Sequence, residues 1–282
     1  MHPIRRSLVA ALGVVAGLAA LALAPTPVEA APTWAPEATA SVHPGVQTDT
    51  AGGQCTANFI FTAGSDVYIG QAAHCSGTGG QTETNGCDSG SLPLGTTVTV
   101  DGASRPGTLA YNSWLTMQAV GETDPDACAY NDFALIRLDP ADVASVNPTV
   151  PHWGGPAGVD TDGTTALERV YSYGNSSLRG GITQLSPKTG TSLGSSGNGW
   201  THNVYTVSPG IPGDSGSAFL DAQGRALGVL STLQIAPVVA SNGVSDLSRM
   251  VAYARAHVPA LADLQVVDGT RAFNGSQLPL GL

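Results

Sequence analysis

Short apolar and β-branched stretches, punctuated by turn residues, run through most of the chain. In the first half, residues 56–62, 67–71, 96–100, 107–111 and 133–138 predict strands. Clusters of small and polar residues at 76–80 and 85–90 predict turns between them. The second half repeats the pattern at 166–173, 181–185, 203–207, 217–220 and 226–233, with Asp221-Ala-Gln-Gly224 as the hairpin turn between the last two. One stretch follows the helical period instead. Leu247, Met250, Val251, Ala254 and Val258 recur at spacings of three and four, Ser245 can cap the start, and Pro259 ends the run. A Pro- and Gly-rich passage over 147–163 separates the halves, and no internal repeat is visible. These elements predict an all-β protein with one helix near its C-terminal end.

The first thirty residues stand apart. Arg5 and Arg6 precede an apolar run over 8–24, Pro25 and Pro27 follow, and Val28-Glu29-Ala30 offers a small-residue cleavage site. This is the layout of a secretory signal peptide cut after Ala30. A membrane anchor fits less well, because a run of about 17 residues is at the short limit for crossing a bilayer and no second span follows. Residues 31–50, rich in Pro, Ala and Thr, predict a flexible leader or short propeptide, and residues 259–282 form a C-terminal tail of no clear pattern.

Composition narrows the class. Loss of Arg5, Arg6 and Glu29 moves the formal net charge from −10 to −11, which argues against nucleic acid or heparin as a partner. About 250 residues remain, enough for one large domain or two small ones with substantial cores. The four cysteines, Cys55, Cys75, Cys87 and Cys128, show no Cys-x-x-Cys spacing, which argues against zinc. An even count in an exported, extracellular protein favours two disulfides. Three pairings are possible. The favoured one joins Cys55 to Cys75, closing a loop of about 20 residues worth roughly 3 kcal/mol, and Cys87 to Cys128. The first bridge would tether the segment carrying His74, and the second would end four residues before Asp132.

Candidate chemistry centres on Gly213-Asp214-Ser215-Gly216-Ser217. A serine hydroxyl needs a base to take its proton and a third group to hold that base. Gln71-Ala-Ala-His74-Cys75 lies far upstream, and Asn131-Asp132-Phe-Ala-Leu-Ile-Arg-Leu138 lies between. The order His, Asp, Ser differs from the orders of subtilisins and α/β-hydrolases. These three segments resemble the signature segments of the chymotrypsin-like serine proteases, and the whole looks most like a secreted bacterial member, over residues 51–258.

The resemblance implies two six-stranded antiparallel β-barrels, about 51–147 and 164–240, with the active site in the cleft between them and a helix over 245–258 packed outside. It implies His74 as general base and acid, Asp132 as the orienting carboxylate, Ser215 as nucleophile, and the N–H groups of Gly213 and Ser215 as the oxyanion hole. Asp124, Asp126 and Asp139 rival Asp132 but sit in turn-like or strand-end sequence. No cofactor or metal is implied. The expected partner is a protein or peptide substrate, with no nucleic acid, no membrane once the signal is removed, and a monomeric chain.

The chain also departs from the family. Ser217 stands where a second Gly is usual, and the N-terminal Ile-Val-Gly-Gly of animal members is missing. Asp214 is therefore expected to find an internal arginine, Arg169 first and Arg179 second. Pro209, six residues before Ser215, replaces the acidic pocket base of trypsins. Ser231 matches the family serine beside the Asp–His pair, while Leu233 falls where many members have Gly and would narrow the pocket. No His precedes Ser231 by two residues, as in many glutamate-specific bacterial members. A small or apolar substrate side chain follows.

Two other readings compete. A binding or adhesion protein on the same scaffold would ordinarily lack a triad member, and all three candidates are present here. An esterase of the α/β-hydrolase type needs Gly-x-Ser-x-Gly, which Ser217 breaks.

Overall fold

Alternation of buried and exposed positions shapes the strands of the computed structural model, which describes residues 32–51, 53–80, 85–234 and 238–279. The expected signal peptide lies outside these residues. The first half carries β1 (Gln47–Thr50), β2 (Gly53–Thr56), β3 (Ile60–Ala63), β4 (Asp66–Gln71), β5 (Thr97–Val100), β6 (Gly107–Asn112) and β7 (Ala134–Arg137). In β5 each Val points inward and each Thr outward, the signature of a sheet with one solvated face. Between β6 and β7 lie two helices, α1 (Ser113–Val120) and α2 (Pro125–Tyr130). The Asn112 side chain caps α1 by accepting from the Trp114 and Leu115 amides. Asp124 caps α2, with Pro125 at its first position.

The second half carries β8 (Arg169–Tyr173), β9 (Pro187–Ser196), β10 (Thr201–Thr206), β11 (Ala218–Leu220), β12 (Ala226–Gln234) and β13 (Ser241–Asp246), followed by α3 (Leu247–His257) and β14 (Gln265–Val266). These six strands close a barrel in the order β10-β13-β12-β11-β8-β9. The first half forms an eight-stranded sheet in the order β14-β3-β4-β7-β6-β5-β1-β2, every pairing antiparallel.

The strands beyond the expected six come from segments read as leader and tail. Residues 31–50 were expected to be flexible, yet β1 pairs with β2 and β5, and Val42 and Val46 sit in the core. Buried Thr48 and Thr50 explain why this segment looked polar: their hydroxyls hydrogen-bond the Gln71 side chain inside the sheet. The tail is likewise held, with β14 on β3 and Arg271 paired to Glu37.

Each half has its own apolar centre, Ile60, Ile69, Val98, Leu109 and Ile136 in the first and Val170, Val204, Phe219, Leu227 and Val244 in the second. A third cluster, including Phe59, Phe133, Trp153, Tyr171 and Met250, contains residues of both halves and of α3. Residues 181–185 were expected to be a strand. They form a 3-10 turn, Thr183–Leu185, that leaves Ile182 and Leu185 exposed. The cap of α3 is Asp246, whose carboxylate accepts from the Arg249 amide, rather than Ser245.

Candidate active site

His74 follows the end of β4 in a single 3-10 turn, Ala73–Ser76, and the Cys55–Cys75 disulfide ties that turn to β2. Cys87–Cys128 is the second bridge and anchors α2. Asp132 lies between α2 and β7, so its position is set by a helix end and a strand start at once. The two side chains meet closely. Asp132 Oδ2 accepts from His74 Nδ1 at 2.6 Å, and Oδ1 accepts from the His74 backbone amide at 2.9 Å. Ser231 on β12 donates its hydroxyl to the same Oδ2 at 2.6 Å. Only 3% of the Asp132 side chain is exposed, against 23% for His74, so the carboxylate is shut in while the imidazole reaches the surface of a cleft.

Charge follows from these contacts. Burial works to raise the Asp132 pKa, but the adjacent His74 and three hydrogen bonds outweigh it and hold the carboxyl below its ordinary 3.8. Burial works to lower that of His74, yet the Asp132 charge and hydrogen bond win and push it above 6.5. With Nδ1–H committed to Asp132, the neutral ring keeps Nε2 as its basic nitrogen. The rivals lack this setting: Asp124 and Asp139 cap helical turns, and the Asp126 carboxylate bonds the Asn198 side chain.

Ser215 lies on the loop from β10 to β11 and lines the same cleft as His74. Among the described residues its hydroxyl makes no hydrogen bond, a common state before substrate binds, when such contacts are long. The loop is otherwise tightly held. The Thr56 amide of β2 donates to Ser215 O at 2.8 Å, the Gly216 amide to Leu230 O at 2.7 Å, and the Asn58 side chain to Gly216 O at 3.0 Å. The amides of Gly213 and Ser215 donate to no acceptor among the described residues. Gly213 has φ +93°, and a Cβ there would stand 2.2 Å from Gln54 Oε1. A Cβ on Gly216, at φ +87°, would stand 2.6 Å from Thr56 O. Both positions therefore require glycine.

Asp214 is fully buried, and its partners correct the expectation. Arg169 is exposed at the start of β8 and bonds Thr189 Oγ1. Arg179 does pair with Asp214 Oδ2, and it is joined by Lys188, which reaches the same oxygen at 2.5 Å and Pro209 O at 3.1 Å. Burial pulls the Lys188 ammonium below its ordinary range, the Asp214 charge opposing. Lys188, the chain's only lysine, carried no local signal of this role, because its partner Asp214 lies 26 positions away.

The cleft has a volume of about 970 Å³. Beside Ser215 it is lined by Gly210, Ile211 and Pro212, by Leu230, Ser231, Thr232 and Leu233 of β12, and by Asn242. Pro209 was expected at the pocket base but does not line the cleft, its carbonyl being turned to Lys188. Asn242 was missed. Its side chain accepts from the Gly210 amide and donates to Thr206 Oγ1, which explains why a polar residue is buried there. No Asp, Glu, Lys or Arg is among the described lining residues.

A closed six-stranded barrel, a second antiparallel sheet and a C-terminal helix together make up a chymotrypsin-like fold. No protein-family model matches the chain, and no curated relative matches it either. Solved structures do. The chain is similar to Thermobifida fusca Protease A, with a TM-score of 0.51 and 17% identity over 82% of this chain and 100% of that one. It is similar to the same degree, TM-score 0.51 and 17% identity over 80% and 100%, to a glutamic acid specific serine protease that utilizes a histidine triad in substrate binding. At such identities the likeness establishes the fold.

Proposed function

We propose that the chain is a secreted serine endopeptidase that cleaves peptide bonds through an acyl-enzyme. The observation that carries this reading is the buried Asp132 carboxylate bound by His74 at two points and by Ser231, in a protein whose cleft also presents Ser215 and two unpaired amides. His74 Nε2 takes the proton of Ser215 Oγ as that oxygen attacks the scissile carbonyl. The amides of Gly213 and Ser215 receive the developing oxyanion. The imidazolium then gives its proton to the leaving amine, and water repeats the cycle on the ester. Two disulfides accord with an extracellular setting, and no helix among the described residues is long and apolar enough to cross a membrane.

The uncharged cleft favours substrates with a small or apolar side chain before the cut bond. A Cβ at Gly210 would lie 2.9 Å from both Leu230 Cδ2 and Asn242 Oδ1, so these side chains already fill the space beside Gly210. A peptide-library digest by the mature chain, starting near Ala31, is the test. Cuts should follow small and apolar residues, with Lys, Arg, Asp and Glu excluded and Ser215→Ala inert. Cleavage after charged residues would overturn the specificity, and equal cleavage by the variant would overturn the nucleophile.

pH separates activity from stability in this pair. His74 must be neutral to act as base, so kcat/KM should reach half its maximum above pH 6.5. The raised His74 value stabilises the fold fully below 6.5 and loses this as pH rises through its folded value. The lowered Asp132 value stabilises above 3.8 and loses this as pH falls through its folded value. Their joint contribution is therefore greatest between these two ordinary values, where the enzyme is slow. Asp132→Asn should cut kcat by about 10⁴-fold and lower stability more at pH 5 than at pH 9. Equal destabilisation at the two pH values in urea melts would contradict the assignment.

A further inference from the structure

The Gly213 amide is oriented by a residue that contacts neither the cleft chemistry nor the triad. Peptide units are planar and trans, so the direction of one N–H is fixed by whatever holds the carbonyl on the other side of the same unit. For the Pro212–Gly213 unit that carbonyl is Pro212 O, and its one donor among the described residues is Ser176 Oγ, at 2.5 Å. Ser176 is itself immobilised. It is 1% exposed, its amide donates to Asp214 Oδ1 at 3.1 Å, and its Oγ accepts from the Leu178 amide at 3.1 Å. The following unit is clamped from the other half of the molecule, Gly213 O accepting from Thr56 Oγ1 at 2.8 Å and Gln54 Nε2 at 3.0 Å. Gly213 is thus a hinge without a Cβ between two clamped peptide planes. Rotation of the Pro212–Gly213 unit would break one hydrogen bond to protein and would carry the amide out of the cleft.

We infer, on the protease reading above, that Ser176 is a positioning residue for the oxyanion hole, its hydroxyl holding the Pro212–Gly213 peptide with the Gly213 N–H turned toward the substrate carbonyl. Besides accepting from the Leu178 amide, the hydroxyl bonds only this peptide among the described residues. It leaves the Asp132–His74 pair untouched, so its removal affects the transition state and not the base.

The test compares Ser176→Ala, Ser176→Val and Ser176→Thr in the mature chain. Thr and Val have the same shape and differ in the hydroxyl, so the pair isolates the hydrogen bond even if Ala disturbs packing. Loss of the hydroxyl should lower kcat by about 10²-fold, the scale of one oxyanion donor, with KM within about threefold of wild type and Ser176→Thr restoring most of the rate. Affinity for a peptidyl boronic acid, which forms a tetrahedral adduct, should fall in parallel with kcat. The pH of half-maximal kcat/KM should stay where it is. A structural role alone would lower the melting temperature and leave kcat and boronate affinity in the folded fraction unchanged, and that result overturns the inference while leaving the protease reading intact. Wild-type protein that hydrolyses no peptide overturns both.

Discussion

Ser215→Ala is expected to lower kcat by about 10⁶-fold, with the melting temperature close to that of wild type. The two halves of this expectation have separate causes. Ser215 Oγ makes no hydrogen bond among the described residues, so no native hydrogen bond is lost when it goes. The backbone bonds that shape its loop, from the Thr56 amide to Ser215 O and from the Gly216 amide to Leu230 O, survive the substitution. Catalysis, on the proposed mechanism, loses the atom that would form the acyl-enzyme. What remains is the pair of free amides and the binding cleft, which in such sites sustain a residual rate some 10³–10⁴-fold above water. Adding Asp132→Asn to Ser215→Ala should therefore cost almost nothing more, because the members of such a unit fail together. Steady-state kinetics on a peptide amide measure both variants. A Ser215→Ala rate within tenfold of wild type would remove Ser215 from the mechanism.

Lys188→Met is expected to lower stability by about 3 kcal/mol, which for a domain of this size corresponds to a fall of roughly 6–12 °C in melting temperature. Methionine replaces the stem of the lysine, so the loss is chiefly electrostatic. Asp214, wholly buried, keeps Arg179 and the amides of Ser176 and Ile211 but loses one of its two cations. Pro209 O loses its Lys188 donor at the same time. Breaking a buried ion pair leaves an uncompensated charge, so adding Asp214→Asn to Lys188→Met should lower stability further, because it takes the carboxylate from Arg179, whose side chain is only 9% exposed. Arg169→Met, at the exposed start of β8, should stay within about 0.5 kcal/mol of wild type. A Lys188→Met protein that melts within 2 °C of wild type, about the resolution of the comparison, would mean that Arg179 alone satisfies Asp214.

Sequence was a good guide where apolar residues face a core and a poor one where polar residues do. β4, β5, β6 and β12 stood out because Val, Ile and Leu recur in them, and the same residues fill the apolar centres of the two halves. β9, with the sequence PKTGTSLGSS, and β13, with SNGVSD, carry few apolar residues and showed no strand signal. Their interior positions hold Lys188, Ser192, Asn242 and Ser245, whose polar atoms are for the most part paired inside the barrel. The same reversal concealed β1, where Thr48 and Thr50 are buried. Conversely, Ile182 and Leu185 suggested a strand and are exposed, so hydrophobicity misled where no partner strand lies alongside. Of the candidate site, His74, Asp132 and Ser215 were legible because each sits in a distinctive local segment. Gln54, Thr56, Ser176 and Asn242 were not, because their roles depend on contacts across as many as 159 positions of chain, which no local pattern encodes.

The central claim is that Ser215 is a nucleophile activated by His74. Mass mapping of the mature protein after treatment with a fluorophosphonate tests it most directly. One adduct should form, on Ser215, at a rate that rises with pH through a value above 6.5, and Asp132→Asn should slow its formation. An unmodified Ser215 in folded protein, or an adduct that forms equally fast when Asp132 is replaced, would contradict the account.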